Sequence, residues 1–259
     1  MWQLRIGICK INRYASRESG DTAELVERPG GGLSVVLADA QGSGSNARLL
    51  GHLVTTRALA LIKDGARDEA VHAAAHDHLY YYKGGRVSCT LTTLSADTST
   101  QTYTVASNSD TPTYVAHAGS VAVLVPPSGA LGVTAGCTPA MGLVPMSPET
   151  RVIACTDGVY SAGSRSNQRL VLDRLIADLL TRHEDPADLA DAILAEAMAC
   201  DSLRPVDDMT VAVLGLTTRT REDAPRRLVV ELPLRDDMVF LEDRADMMHP
   251  SRTNDRSTV

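Results

Sequence analysis

The sequence predicts an α+β layered sandwich. Three observations carry this: strand-like runs cluster in groups, helical segments come in two pairs, and no βαβ alternation links them. Residues 2–12 (WQLRIGICKIN) partly alternate apolar and polar and read as a strand, with 22–28 a second. A turn at Pro29-Gly30-Gly31-Gly32 leads into Leu33–Ala38, a short β-branched run that reads as a buried strand. Leu49, Leu50, Leu53, Val54, Ala58, Leu61 and Ile62 recur at helical spacing, predicting a helix over 46–64, and a second runs over 68–82 to Gly84-Gly85. Segments 86–96, 100–107 and 113–125 are rich in Thr, Val and Tyr and read as an antiparallel meander. Residues 126–149 hold five of the twelve prolines and read as irregular loop. A buried strand over 151–156, helices near 168–182 and 186–200, and a strand over 209–216 complete the order, with Asp185-Pro186 supplying a cap and an N1 proline.

Composition narrows the function. The 259 residues are 44% hydrophobic and 22% charged, which excludes disordered and low-complexity classes for most of the length. The formal charge of −7 lacks the basic footprint of a nucleic-acid or anionic-membrane binder, and 3% aromatic content disfavours base stacking. Five cysteines without a CxxC pair read as free thiols in a reducing compartment. Apolar runs stay shorter than a membrane span, and no secretory leader pattern opens the chain, so a cytoplasmic soluble protein is expected.

Aspartates mark strand ends. Asp39 and Asp157 each follow a predicted strand, Asp207-Asp208 precede one, and Asp21 lies beside another, all flanked by small or flexible residues. Taken singly, such an aspartate is a common turn or cap residue. Brought together in a partly desolvated place, the four would repel and demand a cation; all-oxygen donors favour Mg²⁺ or Mn²⁺ over Zn²⁺.

Ser19-Gly20-Asp21, Ala38-Asp39-Ala40-Gln41-Gly42-Ser43-Gly44, Thr156-Asp157-Gly158-Val159 and Asp207-Asp208-Met209-Thr210-Val211-Ala212-Val213 together resemble the ordered motifs of metal-dependent protein phosphatases. The similarity is to the bacterial branch typified by stage II sporulation protein E and stress-response phosphatases, and it runs over about residues 1–216. It implies a four-layer αββα sandwich, two antiparallel sheets flanked by helix pairs. It also implies a site for two Mn²⁺ or Mg²⁺ ions, and hydrolysis of a phosphoserine or phosphothreonine protein by metal-activated water. Asp39 matches the bridging carboxylate, Asp157 and Asp207 match direct ligands, and Asp21 matches the acid holding the other ion. Ala40, where glycine is usual, would offer its backbone carbonyl. Asp208, where many relatives carry Asn, would support the ligands from behind. Gln41 stands where animal type-2C enzymes have a histidine, and Arg17 is a possible match to their phosphate-binding arginine. No nucleophilic Cys or Ser is required, and Cys155 reads as a core thiol.

Other readings compete. Gly42-Ser43-Gly44-Ser45-Asn46-Ala47 fits a dinucleotide fingerprint with Asp64 about 20 residues on, but a second helix follows where a parallel strand is needed. His72, His76 and His78 could bind a soft metal, or face a neighbouring helix or solvent. A non-catalytic phosphatase-fold binding module is the alternative function. The resemblance points to a STAS-domain anti-sigma antagonist as a possible substrate and to residues 45–83 as a switch element. It is consistent with a monomer or a homodimer, and no nucleic-acid or membrane partner is expected. The phosphatase domain is assigned to 1–216, and 217–259 to an extension with a possible strand over 228–234 and a disordered end over 249–259.

Overall fold

The computed structural model describes residues 1–166, 169–219 and 225–233. Along the chain run β1 (Trp2–Ile11), β2 (Asp21–Glu27), β3 (Leu33–Ala40), α1 (Gly44–Lys63), α2 (Asp68–Lys83), β4 (Cys89–Asp97), β5 (Thr102–Asn108), β6 (Thr113–His117), β7 (Ser120–Val125), β8 (Ala140–Pro145), β9 (Thr150–Cys155), α3 (Asp157–Tyr160), α4 (Leu172–Leu180), α5 (Pro186–Cys200) and β10 (Met209–Thr218). They form two five-stranded sheets ordered β1-β10-β9-β6-β7 and β2-β3-β4-β5-β8. Every pairing between these strands is antiparallel, so the dinucleotide-type βαβ unit is absent. The α+β sandwich expected from the sequence is thus the observed architecture.

Strand alternation builds the layers. Val35, Leu37, Leu94, Val105, Val152, Ala154, Ala212 and Leu214 point between the sheets and pack as one cluster. Their neighbours Ile153, Cys155, Val211 and Val213 point outward onto α4 and α5. Val36, Ala38 and Ala40 point the other way onto α1 and α2. At α5 the Asp185 carboxylate accepts from Ala187 N at 2.8 Å, the cap that the Asp-Pro pair predicts.

Four expectations change. The segment 113–125 is two strands, β6 and β7, because Ala118 and Gly119 turn the chain with φ of 48° and 79°, the paired left-handed backbone of a tight hairpin. The proline-rich stretch 126–149 is not all loop: β8 lies inside it at a sheet edge, where Pro145 at the strand's end costs no interior hydrogen bond. The helix expected near 168–182 spans only Leu172–Leu180, and the short α3 precedes it. Residues 228–233 form no strand: their apolar side chains are exposed, and an apolar run without a ladder partner leaves its backbone groups unpaired. Leu234 and the expected disordered end over 249–259 lie outside the described residues. The chain divides into two units, Met1–Thr220 and Arg221–Val259.

All five cysteines are free. Among the described residues no helix is long and apolar enough to cross a membrane.

Candidate active site

The period-two alternation that fills the inter-sheet layer also sets what ends it. On β3 the inward row reads Val35, Leu37, Asp39; on β2 it reads Leu25, Ala23, Asp21; on β9 Val152 and Ala154 lead to Thr156; on β10 Leu214 and Ala212 lead to Thr210; on β1 Leu4 and Ile6 lead towards Lys10. One end of an apolar layer is therefore closed by polar groups from both sheets. Asp21 and Asp39 are direct cross-strand partners, and Lys10 is paired with Thr210.

Asp21 is gripped across the sheets. Its Oδ2 accepts from Thr156 Oγ1 at 2.8 Å and from Thr210 Oγ1 at 2.6 Å, while Thr210 N donates to Thr156 Oγ1 at 2.9 Å. Lys10 Nζ donates to the Asp21 carbonyl at 2.9 Å. Burial raises the Asp21 pKa, and the two hydroxyls and the Lys10 charge oppose that rise. Asp39 is shifted further: burial comes first, then the charges of Asp21, Asp157 and Asp207, and a hydrogen bond with Asp157. Asp157 is raised as well, by burial and then by Asp207 and Asp110. These mutual shifts place Asp21, Asp39, Asp157 and Asp207 within one electrostatic cluster, with Asp207 at its exposed side.

Asp208 faces the other way. Its Oδ1 accepts from Arg13 N and its Oδ2 from Gly20 N, at 2.8 and 2.7 Å, so it fastens the β1–β2 loop behind the cluster. Gly158 shows why a glycine follows Asp157: a Cβ there would meet the Asp208 carbonyl oxygen at 2.1 Å. Ala40 ends β3, and its carbonyl oxygen lies 3.6 Å from where a Gly20 Cβ would stand, beside Asp208. Gln41 is pinned away from the cluster, its Oε1 accepting from Ser88 N at 3.1 Å and Ser88 Oγ at 3.3 Å. Arg17 is exposed in the β1–β2 loop, and no hydrogen bond or salt bridge among the described residues ties it to the carboxylates.

The donor set suits a hard divalent cation, being carboxylates with a backbone carbonyl close by and no imidazole among the groups acting on them. Two of the acids are already engaged: Asp21 bonds two threonines and Asp208 bonds two amides. Among the described residues no group of three or more His, Cys, Asp or Glu is arranged to hold a metal. The histidine alternative fails on geometry: His72 bonds Asn108 Oδ1 at 2.8 Å and Thr93 Oγ1 at 3.2 Å, His76 accepts from Gly132 N, and His78 stacks on Tyr82. Asp64 merely ends α1.

The sequence reading missed Lys10, Thr156 and Thr210 as site residues. Both threonines flank motif aspartates and were visible as such, but their shared partner is set by sheet-on-sheet packing.

The profile described as Stage II sporulation protein E (SpoIIE) matches residues 29–217. Solved structures match at low identity. The phosphatase domain with a regulatory fragment of SpoIIE from Bacillus subtilis aligns with TM-score 0.71 and 15% identity, over 85% of this chain and 65% of that one. The RsbU and RsbW domains of a Mycobacterium tuberculosis protein align with TM-score 0.70 and 17% identity, over 84% and 61%. The chain thus spans less than two thirds of either. The catalytic domain of the serine/threonine phosphatase PstP, solved with two manganese ions, aligns with TM-score 0.65 and 16% identity, over 84% of this chain and all of that one. A search of curated protein sequences finds no significant match.

Proposed function

The chain belongs to the stage II sporulation protein E family, which has a metal-dependent phosphatase fold, and from that premise we propose that it is a Mn²⁺- or Mg²⁺-dependent serine/threonine protein phosphatase. The observation that supports the proposal is the facing pair Asp21 and Asp39 at the polar end of the inter-sheet layer, with Asp157 and Asp207 near enough to act on Asp39 electrostatically. Asp39, Asp157, Asp207, Asp21 and the Ala40 carbonyl would hold two ions, with Asp208 supporting them from the loop behind. Two such cations would supply charge against the phosphoryl oxygens and acidify a water for in-line attack.

The protein's own part is preorganisation. Thr156 and Thr210 hold one oxygen of Asp21, and among the described residues no hydrogen bond occupies Oδ1. Lys10 places a positive charge next to Asp21, opposing the rise that burial imposes on its carboxyl. Covalent catalysis by cysteine finds no support here: burial pushes Cys155 up to about 12 and raises Cys89 too, so neither is a thiolate at neutral pH. The family resemblance instead implies attack on the phosphate ester by metal-activated water. Membership of this family, and the similarity to proteins of RsbU, RsbW and stressosome systems, support a bacterial signalling role with a phosphorylated protein, such as a STAS-domain anti-sigma antagonist, as substrate.

One observation favours a second reading, a non-catalytic phosphatase-fold module: the carboxylates do not form a ready ligand set. Mn²⁺ titration separates the two. The phosphatase hydrolyses p-nitrophenyl phosphate and a phosphoserine peptide with saturable Mn²⁺ dependence, and Asp39→Asn abolishes it. A protein inert at saturating Mn²⁺, with no calorimetric Mn²⁺ binding, is the module.

A further inference from the structure

Two loops border the carboxylate cluster. Residues 12–20 join β1 to β2, and 201–208 join α5 to β10. They are fastened to each other: Tyr14 N donates to Pro205 O at 2.8 Å, and the Arg204 guanidinium lies 5.2 Å from the Tyr14 ring centre. The second loop is also braced from below, where Asp201 accepts from Gly163 N at 2.9 Å and from Val206 N at 3.2 Å. Ala15, Ser202 and Leu203 hold left-handed backbone (φ 63°, 55° and 58°), which this bracing keeps in place.

The two loops present apolar side chains beside cations. Tyr14 is 60% exposed, Leu203 67% and Val206 39%. Arg13, Arg17 and Arg204 share these loops with Glu18, Asp201, Asp207 and Asp208. Glu18 pairs with Arg48, and Asp201 and Asp208 accept from backbone amides; none of the three arginines takes part in the salt bridges found among the described residues. Asp207, the exposed member of the cluster, follows Arg204 by three residues.

We propose that this lip is the docking surface for the phosphorylated substrate, and that its occupant is a phosphoserine segment carrying acidic residues and one apolar side chain beside the phosphate. The proposal rests on the phosphatase reading of the cluster. Arginines without acidic partners at the rim draw an anionic segment and orient its phosphate towards the site. A tyrosine under a guanidinium offers apolar area and planar polar contacts at once, from two residue types enriched at interface hot spots. Because the loops are already stitched and braced, little ordering is left to be done on binding. A small aryl phosphate has no flanking atoms to reach the lip, so the two substrate types should part company.

The test uses the full chain with Mn²⁺, p-nitrophenyl phosphate, and a fluorescein-labelled phosphoserine peptide with Glu and Leu beside the phosphoserine. In the Tyr14→Ala/Arg204→Ala variant, KM for the peptide is expected to rise at least about tenfold more than KM for the small ester, with a matching rise in the peptide Kd by anisotropy. Arg204→Lys keeps the charge but not the planar stack and gives an intermediate loss; it also repeats the test if the double variant is unstable. The unphosphorylated peptide binds at least about tenfold more weakly. Equal changes for both substrates, or an unchanged peptide Kd, overturn the proposal. If the parent protein hydrolyses neither substrate, the phosphatase reading fails alone. The anisotropy then still decides the lip: a peptide Kd that is the same for parent and double variant, or with and without phosphate, overturns it.

Discussion

The two halves of the carboxylate cluster are built differently. Asp21 and Asp39 lie inside strands of one sheet, opposite each other in register, with Asp21 buried and clamped by hydroxyls from the other sheet. Asp157 opens the four-residue α3, and Asp207 sits in an exposed turn before β10. The strand half cannot relax away from its charges, so desolvation and like-charge repulsion concentrate there. The loop half can yield. The demand for a cation thus comes mainly from the strand half, while the loop half, with Asp207 exposed, gives access.

That contrast can be broken experimentally. Asp39→Asn removes the centre of the cluster and is expected to lower Mn²⁺-dependent hydrolysis by a factor of about 10²–10³ or more, the scale of losing a pre-aimed electrostatic group; steady-state assays at saturating Mn²⁺ check it. Next comes the clamp. Thr156→Val with Thr210→Val should weaken Mn²⁺ binding by about 10–100-fold in calorimetry, as loss of outer-shell partners does, and the corresponding serines should restore it. Asp207→Asn in the loop half should have a smaller effect on Mn²⁺ affinity than Asp39→Asn; an equal effect would erase the distinction between the halves.

The smallest effect concerns pH without metal. The pKa of Asp39 is raised in the folded state, so the fold binds a proton there more tightly than the unfolded chain does, and ionising Asp39 costs stability as pH rises. In EDTA, Asp39→Asn is therefore expected to raise Tm by a few degrees at alkaline pH. The gain should fade as pH drops to the usual carboxylate range, about 4, where both forms are neutral. Differential scanning fluorimetry across this window reads it. A gain that grows towards acid would contradict the like-charge account.

The helical layers show how much the sequence disclosed. Its periodicities located α1, α2 and α5 within a few residues, because each buries an apolar stripe or carries a capping pair. What α2 does on its sheet was not legible. Asp68, His72 and His76 recur every fourth residue on its buried face and meet polar groups: Asp68 bonds Arg28 and Ser95, His72 bonds Asn108 and Thr93, and His76 bonds Gly132. A histidine stripe reads from sequence as a surface or a metal site, since the partners that satisfy it come from strands far along the chain. By contrast α4 and α5 dock through Ile176, Leu179, Leu189 and Ile193, which apolar patterning does reveal. β8 was hidden because edge strands tolerate proline and present exposed Met141 and Leu143, so neither composition nor burial marked it.

Within the site, the four aspartates were legible as strand-end acids; strand alternation turns Asp21 and Asp39 inward, whereas Asp157 is set by the start of α3 and Asp207 by the turn before β10. Lys10 was not, because a lysine at the end of a strand carries no local mark; only its cross-strand pairing with Thr210 brings it to Asp21. Gln41 follows the bridging-type Asp39 and Arg17 precedes Asp21, yet Ser88 holds the first and the second is exposed.

The clamp on Asp21 also bears on how activity is acquired during folding. Its two hydroxyl partners are 135 and 189 residues away along the chain. Contacts of such separation close late, after the loop entropy of nearly the whole domain has been spent. A nascent or partly unfolded chain can hold helices and hairpins yet still lack the arrangement that would do chemistry. Competence then appears as one cooperative event, with the docking of the two sheets.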